Sequence, residues 1–355
     1  MTSQPRAHII GLGLIGGSIS LALQNAGWST SGEDLDSDNV SRAIDLGIVN
    51  GRDSGGTELF IIATPSQAVR AVALDVLHRS NDPNVIVTDV AGVKSSIVDA
   101  ISDPRFIGGH PMAGSEMKGL DGSRADLFQS ATWVLTPTAM THPDTYARLH
   151  SVISSLGASP LALPASDHDR LVAMASHVPH LVAGALMNEA AHMAESDSAL
   201  LRLAAGGFRD MTRISAGDPA IWPNVLFDND AAVIDGLDRL IHRLVRIRQV
   251  VASNNRESLL EELTSASISR RELPGRASVA RELVIVRVPI DDRPGMLASI
   301  TTLASLQNVN IFDIEIVHGV EGTAGVLELG IESDDAKRLI EALRQAGFHA
   351  STSQL

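Results

Sequence analysis

The stretch His8-Ile-Ile10-Gly11-Leu-Gly13-Leu-Ile-Gly16-Gly-Ser18 decides the fold. A short apolar run ends in G-x-G-x-x-G and passes straight into an amphipathic pattern, Ile19 to Asn25. That is the strand, turn and helix that open a dinucleotide-binding βαβ unit, although a structural glycine-rich turn would share the glycines alone. Gly11 permits the tight turn, Gly13 lets the backbone approach a pyrophosphate, and Gly16 lets the helix pack on the strand. Leu14 and Ile15 stand at the helix N-terminus, where backbone donors are available to phosphate. A second run, Thr30-Ser-Gly-Glu-Asp34, ends in an acid 18 residues after Gly16. Asp34 is placed to accept from the adenosine ribose hydroxyls, with Glu33 and Asp36 as alternatives, and its charge repels a 2′-phosphate. Leu35 follows, with no adjacent arginine to take that phosphate, so the reading is NAD over NADP. Thr64, after the apolar run from Glu58 to Ala63, joins Gly11, Gly13, Leu14, Ile15, Gly16 and Asp34 as a cofactor-binding candidate.

Working outward, short apolar runs such as Asn84 to Asp89 alternate with helical patterns such as Ser66 to Leu77, from Ala7 to about Leu163. The alternation predicts an α/β fold, a Rossmann-like, doubly wound and mostly parallel sheet, over 1–164. After Pro164 the β-branched runs stop, and helical spacing predicts an all-helical second domain over 165–280. Leu273-Pro-Gly-Arg276 is a breaker cluster. Beyond it, 281–355 reads as β-α-β-β-α-β, a small ferredoxin-like domain.

The 355 residues carry 28 Lys and Arg against 42 Asp and Glu, a formal charge of −14, with 3% aromatics. That charge has the wrong sign for counterion-release binding to nucleic acid, and few rings are available to stack on bases. No stretch reaches the roughly 18 apolar residues of a membrane helix, so no membrane association is expected. There are no cysteines, hence no disulfide framework and no thiol ligands for zinc. No apolar signal core precedes the first strand, which makes a cytoplasmic enzyme the expectation. An anionic substrate would need local arginine or lysine.

The segment Gly108-Gly-His110-Pro-Met-Ala-Gly114-Ser115 follows Phe106-Ile107 and reads as a loop leaving a strand of the cofactor domain. A histidine there can take a hydroxyl proton while hydride leaves the same carbon; a loop histidine capping a turn is the alternative. In Ser176-His177-Val-Pro179-His180, Pro179 suits a first helical turn, so both histidines are expected near a helix N-terminus, which disfavours the imidazolium. A metal pair is disfavoured, because H-x-x-H lies off the common zinc spacing. Gly206-Gly-Phe-Arg209-Asp210-Met-Thr-Arg213 supplies two guanidiniums that suit a carboxylate, or else solvated surface arginines paired to acids.

Taken in order, the glycine fingerprint, His110-Pro-Met-Ala-Gly-Ser-Glu, Ser176 to His180, Gly207 to Arg213, Asp218-Pro219 and Trp222 resemble the prephenate and arogenate dehydrogenases of tyrosine biosynthesis. The resemblance covers Ala7 to about Gly275. It implies oxidative decarboxylation of prephenate with NAD, arogenate being the alternative substrate, by a homodimer that needs no metal. It implies His110 as the catalytic histidine on the ring hydroxyl and His180 as a second active-site histidine. Arg213 would hold the side-chain carboxylate, with Ser115, Trp222 and His177 also at the substrate, and Asp210 would order the arginine or engage a partner subunit. Asp89-Val-Ala-Gly92-Val-Lys94 departs from the family pattern, which often has serine where Gly92 stands, so Ser95, Ser115 or a water would substitute. The tail resembles an ACT domain through Asp291-Asp-Arg-Pro-Gly295-Met-Leu297 and Asn308-Val-Asn310-Ile311, which implies a tyrosine effector at Asp292 and Asn310, or a dimerisation appendage without ligand. A generic hydroxyacid or imine reductase would leave His110 and Arg213 without a shared purpose. A non-catalytic amino-acid sensor would not need His110, Arg213 and the fingerprint together.

Overall fold

The computed structural model describes residues 4–114, 117, 119–197, 199–273, 283–291, 293–318 and 324–353. Ser115 and Asp292, named above as candidates, and most of the breaker cluster at 273–276 lie outside the described residues. Two compact units emerge, Met1–Arg246 and Ile247–Leu355.

The first unit opens with β1 (Arg6–Ile10), α1 (Leu14–Asn25), β2 (Ser29–Glu33) and α2 (Ser37–Asp45). Next come β3 (Leu59–Ile62), α3 (Ser66–Arg79), β4 (Ile86–Asp89), the short α4 (Ser95–Val98), β5 (Phe106–Pro111), β6 (Thr132–Thr136), α5 (Pro143–Ser155) and β7 (Ser159–Ala162). The sheet order is β2-β1-β3-β4-β5-β6-β7, parallel throughout except for the antiparallel pair β5 and β6. Successive strand residues serve opposite faces. Ile9, Ile61, Ile86 and Ile107 pack in one core cluster with α1 and α5, whereas Ile10, Ile62, Val87 and Phe106 pack in another with α3 and α4. Burial on both faces accounts for continuous apolar strands rather than alternating ones. The order reverses between β1 and β3, so the carboxyl ends of those strands form the crevice where open α/β sheets bind ligands.

Helices follow: α6 (Ala165–Val172), a π-helical segment Ala173–His177, α7 (Val178–Ser196), α8 (Ala199–Leu203), α9 (Gly206–Thr212), α10 (Trp222–Phe227) and α11 (Asp230–Ala252). The run Ala165–Ser196 is long and apolar enough to cross a membrane by length and composition, contrary to the expectation from sequence. Its His168, Asp169 and His177 are nevertheless buried, and Asp169 hydrogen-bonds the cofactor-domain backbone, so it serves as a wall of that unit.

The second unit includes α12 (Arg256–Arg271), then β8 (Leu283–Asp291), α13 (Met296–Leu306), β9 (Ile311–His318), β10 (Ala324–Glu332), α14 (Ser333–Gln345) and β11 (Ser351–Ser353). Its sheet is antiparallel in the order β11-β8-β10-β9, over a core of Val286, Val288, Ile300, Leu327, Leu329 and Leu339.

Candidate active site

The glycine turn behaves as its residue types require. Gly11 has φ +96°, and a Cβ there would lie 2.6 Å from Ala63 O; a Cβ on Gly16 would lie 2.0 Å from Gly11 O. Around Gly13 a Cβ would meet nothing within 4 Å. Helix α1 starts there with no side-chain cap and no acid in its first turn, so the donors of Leu14, Ile15 and Gly16 have no helical partner. Thr64 follows β3, and its backbone nitrogen is 3.2 Å from the Cβ position of Gly11. This uncapped helix end, open at Gly13, fits a dinucleotide pyrophosphate.

Asp34, just past β2, is tied to that turn. Its Oδ2 accepts from Leu12 N at 2.7 Å and Asn39 Nδ2 at 3.2 Å, and its Oδ1 accepts from Asp36 N at 3.0 Å. Asn39 also donates to Leu12 O at 2.8 Å. Leu35 beside it is fully exposed.

His110 sits within β5 rather than in a loop, because β5 continues through Pro111 and pairs His110 with Val134 of β6. Its Nδ1 is 2.8 Å from His168 Nε2, and His168 Nδ1 is 2.8 Å from Asp169 Oδ1. The Asp169 carboxylate is held from the other side, Oδ1 accepting from Lys94 N and Oδ2 from Ser95 N, each at 2.8 Å. Lys94, wholly buried, pairs through Nζ with the equally buried Asp89. Burial pushes the Lys94 ammonium below its ordinary value, with Asp89 opposing. A Cβ on Gly92 would stand 3.7 Å from His110 Nε2, an ordinary contact, so the residue without a side chain lies beside that nitrogen.

Burial first, then the charges of His168, Lys94 and His177, lower the His110 pKa well below the usual histidine value, with Asp169 opposing. For Asp169, burial raises the pKa, but the bonds from His168, Ser95 and Lys94 outweigh it and hold the carboxyl below its ordinary value.

His177 ends the π-helical segment, buried, with Asn229 Nδ2 3.3 Å from its Nδ1; that amide also donates to Asp169 O at 2.9 Å. His180 stacks on Trp222 with ring centroids 3.6 Å apart and planes 13° from parallel, and His177 meets the same indole edge-on at 6.3 Å. The two histidines lie inside a continuous helical run, not at a free N-terminus. Burial above all lowers the pKa of each, and at His177 Asp169 opposes it while the charge of His168 adds to it. Arg213 begins a 3-10 turn that packs on α7 and is itself exposed; Arg209 and Asp210 are exposed on α9.

His168, Asp169, Lys94 and Asn229 were not singled out from the sequence. Their signal in the sequence is weak: the dipeptide His168-Asp169 falls in the first turns after Pro164, where polar residues read as ordinary helix surface.

Comparison with known proteins gives this geometry a family. Residues 19–161 match the model described as prephenate dehydrogenase, nucleotide-binding domain, and residues 164–265 that described as prephenate dehydrogenase, dimerization domain. The chain is 31% identical over 352 residues to a prephenate dehydrogenase of Bacillus subtilis (strain 168), covering 95% of each. It belongs to the prephenate dehydrogenase family. A family member of known structure, prephenate dehydrogenase from A. aeolicus in complex with hydroxyphenyl propionate and NAD+, superposes with TM-score 0.71 at 27% identity over 77% of this chain and 99% of that one. Synechocystis arogenate dehydrogenase superposes with TM-score 0.67 at 30% identity over 76% of this chain and all of its own. For this family member the two domain models end at residue 265, before the small antiparallel sheet.

Proposed function

We propose that this chain catalyses the NAD-dependent oxidative decarboxylation of prephenate to 4-hydroxyphenylpyruvate. The observation that carries the reading is His110, near the end of a strand of the nucleotide-binding domain, backed by His168 and close enough to His177 to feel its charge, with His177 in turn meeting the Trp222 indole on which His180 stacks. NAD supplies the hydride acceptor when bound. Its pyrophosphate would be held by the donors of Leu14, Ile15 and Gly16 and its ribose by Asp34, with Thr64 alongside.

His110 draws the proton from the ring hydroxyl as hydride leaves that carbon, and the ring carboxylate departs as carbon dioxide in a step driven by aromatisation. A neutral imidazole is the competent form for that role, and burial favours it by lowering the His110 pKa well below the usual histidine value. Arg213, with no ion pair among the described residues, suits the side-chain carboxylate. His177, His180 and Trp222 would form the pocket wall. Gly92 leaves the space beside His110 Nε2 without a hydroxyl. The experiment is NADH formation with prephenate and with arogenate, each with NAD and NADP. Preference for arogenate would move the reading to the reaction named for the Synechocystis neighbour.

The assembly that fits is a homodimer through the helical part, supported by the dimerization description and by apolar side chains such as Leu203, Met211 and Phe227, exposed by 76, 62 and 78%. For the tail, an ACT domain is supported by its β-α-β-β-α-β order. Gly295, left-handed at the start of α13, and exposed Asn310 before β9 are the described residues of a tyrosine site that would include Asp292.

A further inference from the structure

We propose that His168 and Asp169 are positioning residues that fix His110 in its Nδ1–H tautomer and so turn the bare Nε2 lone pair toward the substrate hydroxyl. This rests on the dehydrogenase reading for its kinetic arm alone. The argument is one of hydrogen-bond direction. Asp169 has a depressed pKa and receives two backbone donors, Lys94 N and Ser95 N, so it is a carboxylate and accepts only. His168 Nδ1, 2.8 Å from Oδ1, must therefore carry its proton toward Asp169. A neutral His168 then has a lone pair on Nε2, and the 2.8 Å approach of His110 Nδ1 requires the proton to sit on His110. A neutral His110 is left with an unprotonated Nε2, the atom beside Gly92 where no side chain competes for it. His168 is completely buried, so neither water nor solvent exchange offers its ring another arrangement. When His110 Nε2 gains the substrate proton, the resulting cation lies one buried ring away from the Asp169 carboxylate. Lys94, neutralised by Asp89, and His177 are the other charged or titratable groups that bear on it.

The test has two arms on the full-length chain. Nitrogen-15 NMR of histidine rings in the wild type, above pH 7, is expected to show both His110 and His168 protonated at Nδ1; an Nε2–H form of His110 overturns the proposal whatever the enzyme's substrate. In the kinetic arm, His168→Leu is expected to lower kcat by roughly 10² or more, the scale of a lost or misoriented general base. KM and NAD affinity should stay within about threefold. His168→Gln can accept from His110 and donate to Asp169, and is expected to recover kcat to within about tenfold of wild type. Asp169→Asn removes the negative charge that favours protonated His110, and should move the acid limb of kcat/KM to lower pH. Equal loss in the Leu and Gln variants, or unmoved kcat in both, refutes the positioning role. A wild type that does not oxidise prephenate or arogenate refutes the functional reading and leaves the NMR arm to decide the tautomer.

Discussion

Replacing Asp34 by Asn tests the cofactor assignment with the least damage to the fold. The carboxylate makes three local bonds, from Leu12 N, Asn39 Nδ2 and Asp36 N, and an isosteric amide can keep the shortest of them through its remaining oxygen. Serine cannot span those distances, so an Asp34→Ser change would confuse loss of the glycine turn with loss of ribose binding. A hydrogen bond to a charged acceptor contributes about 1.5–3 kcal/mol and a neutral one about 0.5–1.5 kcal/mol. The amide should therefore weaken NAD binding by about 1 kcal/mol, or roughly fivefold to tenfold in KM. For NADP the change works the other way. A unit charge about 4 Å from another repels it by about 1 kcal/mol in a water-like dielectric, and a phosphate carries roughly two charges. Removing the repulsion should improve NADP binding by about 2 kcal/mol, close to thirtyfold. Together these move the NAD to NADP ratio of kcat/KM by about 150-fold to 300-fold. The assay is initial-rate kinetics with both cofactors at saturating prephenate, with a thermal melt to confirm the fold. A ratio within twofold of wild type would remove Asp34 from the ribose site and turn attention to Glu33 or Asp36.

Replacing Arg213 by Ala should raise the prephenate KM tenfold or more with little change in NAD KM, measured by the same kinetics; a KM within twofold would reassign the carboxylate to Arg209. Acid should weaken the fold before any carboxylate titrates: burial depresses the pKa of His8, His110 and His177, so the unfolded chain binds more protons below about pH 6.5 and stability falls as pH drops through that range. Asp169, also depressed, keeps its contribution until still lower pH, so urea midpoints that are flat from pH 7 to 5 would contradict the histidine burial. In the tail, Asn310→Ala should weaken tyrosine binding about tenfold by calorimetry while leaving uninhibited activity intact; an unchanged isotherm in the variant would move the tyrosine site elsewhere.

The fold was legible where a residue type admits few backbone solutions. Gly11 at φ +96° and Gly16 against Gly11 O are positions that side chains cannot occupy, so the G-x-G-x-x-G spelling carries geometry directly. Continuous apolar strands such as Leu59–Ile62 signal a sheet covered on both faces, and the tail's alternation gave its six elements in the observed order. The extent of β5 was not legible. Gly108-Gly109-His110-Pro111 spells a loop by propensity, yet tight packing allows only glycine there: a Cβ at Gly109 would lie 2.6 Å from Asp89 O, and one at Gly108 2.4 Å from Thr136 Oγ1. Those glycines mark close approach between strands rather than a turn.

The site was legible by its members and not by its connections. His110, His177 and His180 could be named because the segments that carry them resemble a known family in order and spelling, but the sequence separates His110 from His168 by 58 positions. Periodicity reports which face of α6 is apolar, and His168 and Asp169 interrupt that face; from sequence alone such a pair reads as helix surface. Only the fold shows that the face meets Lys94 and Ser95, whose backbone donors make a buried carboxylate affordable at Asp169.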